Sequence, residues 1–154
     1  MAAHMDRGRP DFMGLALEQA QEAGRRGEVP VGAVVVRDGA VVAAAGNRPR
    51  GLADPTAHAE MLAIREACRL AGTARLPDCD LYVTLEPCTM CAAAISFARI
   101  RRLYFAAPDE KGGAVEHGVR FFAQPTCHHC PEVYSGLREA EASALLRAFF
   151  AERR

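Results

Sequence analysis

The sequence predicts an α/β protein in which helices cover both faces of a central sheet, giving three layers. Segments with apolar residues at helical spacing alternate with short apolar segments that are typical of buried strands. Half of the residues are apolar and a quarter are charged, so burial can offset the chain entropy lost on folding. The 154 residues fit one domain over 1–154, and we expect residues 1–10 to be disordered or partly an expression remnant.

The first half of the chain predicts a helix, a hairpin and a second helix. Small and apolar side chains recur at helical spacing over 11–26, ahead of Gly27. Two strands over 31–36 and 40–45 flank Asp38-Gly39, a turn sequence that favours an antiparallel hairpin. Residues 47–55 hold two prolines and a glycine and are predicted to form a loop, after which helical spacing resumes over 57–71.

The second half predicts a strand over 81–85, a helix over 88–98, a strand over 103–106 and a closing amphipathic helix over 137–152. Residues 107–136 are the least regular part, because they contain Gly112-Gly113 and a segment bounded by Pro125 and Pro131. Loops in such positions often line functional sites.

Charge and hydropathy exclude some classes of protein. Nineteen basic residues balance nineteen acidic ones, so a nucleic-acid partner would have to be held by a local basic patch. The apolar stretches are far shorter than the ~18 residues that a membrane span needs, and the amino terminus has no apolar signal segment. We therefore expect a cytoplasmic protein without a membrane partner, with its six cysteines reduced.

Three residues are candidate metal ligands: His58, Cys88 and Cys91. Cys88 and Cys91 are three apart, so both sulfurs project from one face of the predicted helix over 88–98. Thiolates near a helix amino terminus are favoured by the helix dipole, and Pro87 suits the first helical turn. Together with His58 they make three ligands and leave the fourth tetrahedral position to water, the pattern of a catalytic zinc.

Glu60 is the candidate proton carrier. A residue two positions from His58 points away from it inside a helix, so both reach one site only near a helix start. Zinc lowers the pKa of a bound water to about 7, and a carboxylate beside it can carry that proton to a substrate and its leaving group.

Each of these residues has a simpler interpretation. A lone Cys-x-x-Cys is often structural or redox-active, a lone His caps a helix, and a lone Glu favours the dipole. A zinc-stabilised binding module without catalysis is therefore an alternative. The second pair, in Cys127-His128-His129-Cys130, has no further Cys or His downstream to complete a separate zinc site, and we interpret it as a loop near the pocket.

The ligand residues lie in segments that resemble a known family. His58-Ala59-Glu60 and Pro87-Cys88-Thr89-Met90-Cys91 match the signature of zinc-dependent deaminases of the cytidine and deoxycytidylate deaminase superfamily. From about residue 12 to the carboxyl terminus the chain is similar to bacterial tRNA-specific adenosine deaminases. The similarity is carried by the segments 28–33, 47–49, 54–60 and 82–88.

This resemblance implies a three-layer α/β/α sandwich of the cytidine-deaminase type, with a central mixed sheet of about five strands. It implies one Zn²⁺ per chain on His58, Cys88 and Cys91, and a proton shuttle at Glu60. Asn47 matches a base-contacting asparagine. Three further positions match residues that line the substrate pocket: Val31, Ala57 and Pro87.

The implied reaction is the hydrolytic conversion of the wobble adenosine of a tRNA anticodon, typically of arginine tRNA, to inosine with release of ammonia. The partners would be the anticodon stem-loop and a second copy of the chain. The small-residue helix 92–98 favours such pairing of copies.

The chain has Pro108-Asp109 where the family commonly has Arg-Asp, so one RNA contact that the resemblance implies is missing. Deamination of a free nucleobase or nucleoside, such as guanine, cytosine or adenosine, is the alternative. Arg153-Arg154 would contact phosphates or only balance the helix dipole.

Overall fold

Helices and strands alternate along residues 10–153, the part of the chain that the computed structural model describes. In chain order the elements are α1 (Phe12–Arg25), β1 (Gly32–Arg37), β2 (Ala40–Gly46), α2 (Ala59–Ala71), β3 (Cys79–Leu85), α3 (Thr89–Phe97), β4 (Arg102–Ala107), a 3₁₀ turn (Phe121–Ala123), β5 (Glu132–Ser135) and α4 (Glu139–Ala151). The segment expected to be disordered, residues 1–10, lies outside the described residues apart from Pro10. Arg154 also lies outside them.

The five strands form one mixed sheet, as the resemblance implies, and their order is β2-β1-β3-β4-β5. β1 runs antiparallel to both β2 and β3, whereas β3, β4 and β5 are parallel. Leu85 and Ala107 therefore end neighbouring strands at one edge of the sheet. The first residue of β1, Gly32, and the last residue of β2, Gly46, pair at the same edge. We call this edge, where β3 and β4 end, the carboxyl edge.

Helices cover both faces of the sheet, which confirms the three-layer prediction. One hydrophobic core lies between the sheet and two helices. In it, Val35 of β1 packs with Ile64 of α2 and Ile95 of α3. A second core joins Val34 and Val36 to α1 and α4. Alternate valines of β1 thus enter opposite cores, because side chains alternate across a strand. Burying each such side chain contributes about 1.5–3 kcal/mol.

Gly32 allows α1 to lie directly on the sheet. A Cβ at this position would overlap the backbone carbonyl of Ala16 in α1. The helix begins where predicted, because the Asp11 carboxylate accepts a hydrogen bond from the Gly14 N–H at 2.9 Å and caps the first turn.

Most predicted elements agree with the structure to within two residues. The helix predicted over 57–71 begins at Ala59 because His58, at the N-cap position, has extended backbone angles, φ −72° and ψ 152°. β5 falls within the segment expected to be least regular. None of the helices in the described range is both long and apolar enough to cross a bilayer.

Candidate active site and metal centre

The three predicted ligands meet at the carboxyl edge, between the first turns of α2 and α3. His58 is the N-cap of α2 and Cys88 the N-cap of α3, and neither side chain bonds to its own helix. His58 Nδ1 lies 3.6 Å from Cys88 Sγ and 3.5 Å from Cys91 Sγ. All three ligand atoms lie within 4.8 Å of one another, so they can hold one metal ion.

The chemistry of this donor set fits zinc. A hydrogen bond from Cys91 and one from His58 lower the pKa of Cys88 to about 4, although burial opposes this shift. The pKa of Cys91 is raised, because its thiol donates to Cys88 and is buried. Cys88 therefore favours the thiolate form, at a site that two helix amino termini make electropositive. Two thiolates with one imidazole are a ligand set that zinc prefers.

Glu60 lies beside the ligands without joining them. Its side chain is buried in the first turn of α2, with 4% of the residue exposed, and it is not among the residues that converge as ligands. Burial raises the pKa of Glu60 to about 7, and the charge of Cys88 adds to this. The Glu60 N–H, the charge of His58 and a hydrogen bond with Cys91 partly oppose the shift. A carboxyl group in this environment can both accept and donate a proton near neutral pH.

Asn47 connects the end of β2 to the start of α2. Its Oδ1 accepts a hydrogen bond from the Ala59 N–H at 2.8 Å, and its Nδ2 donates to the Val29 carbonyl at 3.2 Å. The asparagine therefore satisfies one of the unpaired N–H groups of the first turn of α2. One hydrogen of the Nδ2 group remains for a further acceptor, such as a base.

The three predicted pocket residues are buried at the same edge. The Val31 carbonyl accepts from Asn47 N–H at 3.0 Å, and the Ala57 carbonyl accepts from Arg48 N–H at 3.0 Å. Pro87 is buried directly before Cys88, and its carbonyl accepts from Ala114 N–H at 2.8 Å. Backbone hydrogen bonds thus fix the chain on both sides of the ligands.

Glu86 is an important residue that sequence reasoning missed. Its side chain is fully buried, and its carboxylate accepts five hydrogen bonds. They come from the His117 ring and from four backbone N–H groups, those of Asp109, Val115, Glu116 and His117. Burial alone would raise its pKa, but these hydrogen bonds outweigh burial and hold the pKa below its usual value. The available signal was an acidic residue directly after a buried strand.

The loop containing Cys127 and Cys130 lies at the other end of α3 from Cys88. The Ser96 hydroxyl donates to the His129 carbonyl at 2.8 Å, and His129 Nε2 lies 2.7 Å from the Ile100 carbonyl. The two sulfurs are 3.9 Å apart. This segment packs against the carboxyl-terminal end of α3 rather than beside the metal ligands.

The fold and the ligand cluster define a class, the zinc-binding hydrolytic deaminases of α/β/α architecture. Residues 7–107 match the family model for the cytidine and deoxycytidylate deaminase zinc-binding region. The chain belongs to this family, and within it to the group that holds the curated tRNA-specific adenosine deaminases. The family binds zinc, and among the described residues His58, Cys88 and Cys91 are a group that can hold one such ion.

Individual relatives are similar over most of their length. The tRNA-specific adenosine deaminase of Agrobacterium fabrum is 67% identical over 146 residues, covering 95% of this chain and 96% of the relative. A structure from a study of A-to-I editing by tRNA:A34 deaminases at the wobble position is 68% identical, with a TM-score of 0.87, covering 88% of this chain and 98% of that one. Guanine deaminase from Bacillus subtilis is 37% identical, with a TM-score of 0.63, covering 92% and 91%.

Proposed function

We propose that this protein hydrolyses the wobble adenosine of a tRNA anticodon to inosine and releases ammonia, with arginine tRNA as the expected substrate. The observation that carries the proposal is the 67% identity to a tRNA-specific adenosine deaminase over 95% of the chain. This similarity includes the segment around the metal ligands, and it far exceeds the 37% identity to guanine deaminase.

The site residues have distinct roles in this proposal. His58, Cys88 and Cys91 hold zinc, which acts as a Lewis acid and lowers the pKa of water. Glu60 takes a proton from the attacking water and gives it to N1 of adenine. It then takes the proton of the new hydroxyl group on C6 and gives it to the amine, which leaves as ammonia. Asn47 contacts the base with its remaining amide hydrogen, and Val31, Ala57 and Pro87 shape the pocket. Because Glu60 is buried beside the ligands, its proton transfers are shielded from bulk water.

The direct experiment is an inosine assay. Purified, zinc-loaded protein is incubated with the anticodon stem-loop of arginine tRNA, and nucleosides are measured after digestion. Inosine should replace adenosine at the wobble position and nowhere else in the stem-loop. Absence of inosine from a sample with one zinc per chain would reject the proposal.

Deamination of a free nucleobase or nucleoside is the second candidate, favoured by the 37% identity to guanine deaminase and by Pro108, which departs from the family resemblance described above. Ammonia release from guanine, adenosine and cytosine, measured on the same preparation, distinguishes the two. Faster release from a free base than from the stem-loop would establish this candidate instead.

The protein is further proposed to act in the cytoplasm as a single-domain homodimer. The support for the dimer is an apolar face of α3, where Phe97 is 71% exposed and Met90, Ala93 and Ala94 are half-buried. An exposed phenylalanine beside small residues suits close packing of helices from two copies.

A further inference from the structure

Three exposed arginines surround one cleft at the carboxyl edge. Arg26, Arg48 and Arg50 line a cleft of about 400 Å³, together with Gly27, Glu28 and Gly51. The Arg26 guanidinium donates to the Asn47 carbonyl at 3.4 Å, and the Arg50 guanidinium donates to the Gly27 carbonyl at 3.4 Å. These long contacts hold the side chains over the cleft and leave most of their N–H groups available to a ligand. We call this feature the arginine cleft.

The arginine cleft is a direct neighbour of the candidate active site. Arg48 follows Asn47, whose side chain bonds to Ala59 in the first turn of α2. The Arg48 N–H in turn bonds to the carbonyl of Ala57, the residue before the ligand His58. A base held at the ligand cluster would therefore place its adjoining backbone close to the cleft.

Within residues 10–153, no acidic side chain forms an ion pair with the three arginines of the cleft. Among the described residues, no carboxylate oxygen lies within 4.0 Å of the charged groups of these three arginines, whereas Arg69, Arg101 and Arg102 each have such a partner. The acidic residue that lines the cleft, Glu28, is buried and accepts from the backbone N–H groups of Arg50 at 3.2 Å and Gly51 at 2.8 Å. It therefore shapes the loop that carries Arg48 and Arg50 without pairing with their side chains.

We propose that the arginine cleft binds phosphodiester groups of the RNA strand on either side of the target base. The inference rests on the proposed function and adds the binding site for the RNA backbone. Guanidinium groups pair with phosphate oxygens in a bidentate manner, and such contacts position a strand without reading its sequence. With a net charge of zero, the chain attracts RNA through a local cluster of this kind rather than through its overall charge.

Binding at several salt concentrations tests the proposal. The zinc-loaded protein is titrated into a fluorescent anticodon stem-loop, and the dissociation constant Kd is measured by anisotropy for the parent and for the triple variant R26Q/R48Q/R50Q. Loss of three phosphate contacts should reduce the slope of log Kd against log salt concentration by about 2, since each contact on a single strand contributes ~0.7. The Kd should rise at least ~10-fold at low salt.

The control is the double variant R37Q/R75Q. Arg37 pairs with Cys79 at the opposite edge of the sheet, and Arg75 precedes β3 at that edge. For this double variant, the slope of log Kd against log salt concentration should equal that of the parent. A triple variant that keeps its zinc and has the parent's Kd and slope would overturn the proposal, as would a parent that does not bind the stem-loop. A parent that binds through these arginines but forms no inosine would support the cleft and reject the proposed reaction.

Discussion

His58 Nδ1 lies 3.6 Å from Cys88 Sγ, although thirty residues separate them in the chain. Each residue is the N-cap of a helix, and the two helices begin side by side at the carboxyl edge. The site therefore depends on two helix starts whose side chains are not used as caps. The fold brings these two residues together, because β3 leads directly to Cys88 and the loop after β2 leads to His58.

The first prediction concerns metal binding. Cys88→Ala should reduce zinc from about one ion per chain to a small fraction, because two ligands cannot hold the ion tightly. Elemental analysis of the purified proteins measures this. Cys79→Ala is the matched control, since it removes a buried thiol at the opposite end of β3 and should leave zinc unchanged. Equal zinc in both variants would contradict the ligand assignment.

The second prediction concerns the role of Glu60, which differs from that of the metal ligands. Glu60→Ala should keep its zinc, because Glu60 is outside the ligand cluster, and should lower kcat ~10²-fold or more, the usual scale for a positioned acid or base. Glu66→Ala, which removes a half-exposed carboxylate further along the same helix, should retain the parent's rate. A Glu60→Ala protein with full function would favour the zinc-stabilised binding module. Loss of zinc in that variant would contradict the proposed division of roles.

The third prediction concerns the stability of the loop beside the site. Glu86→Ala leaves four backbone N–H groups and a histidine ring without their buried acceptor, so the free energy of unfolding should fall by about 3 kcal/mol or more. Urea unfolding of the zinc-loaded proteins measures the change. Glu116→Ala should have little effect, because Glu116 contributes its backbone N–H and its side chain is exposed. A loss below about 1 kcal/mol for Glu86→Ala would contradict this account.

The fourth prediction concerns assembly. Phe97→Asp should convert a homodimer to a monomer at micromolar concentration, because it places a charge in an apolar contact. Sedimentation velocity measures the oligomeric state. Phe150→Asp changes a half-exposed phenylalanine on α4, away from the α3 face, and should remain dimeric. A monomeric parent protein, or a Phe97→Asp variant that sediments as a dimer, would refute the proposed interface.

Local patterns were sufficient to predict most of the fold and the three residues that converge at the candidate metal site. Helical spacing and the Asp38-Gly39 turn are properties of short segments, and the structure has the corresponding helices and hairpin. The ligands were predictable because His, Cys and Cys near helix starts have a specific metal chemistry. Their mutual distances confirm that they can share one ion.

Features that depend on distant contacts were not predictable in the same way. β5 has four residues and little apolar character, and its position depends on pairing with β4. There Tyr134 stacks on Tyr104 at a centroid distance of 5.0 Å, a contact made only after the chain has folded. The role of Glu86 also depends on distant contacts, since its hydrogen-bond donors lie 23 to 31 residues further along the chain. The boundary of α2 was misplaced because the extended backbone of His58 serves the site rather than the helix.

We expect the buried carboxylate and the zinc site to act on a base within RNA. The most direct test compares kcat/KM for inosine formation in the arginine tRNA anticodon stem-loop with kcat/KM for ammonia release from free guanine and adenosine, using one zinc-loaded preparation. The stem-loop should be preferred by at least ~10²-fold, because remote binding energy from the RNA contributes to the rate. A free base that reacts as well as the stem-loop, or better, would contradict it.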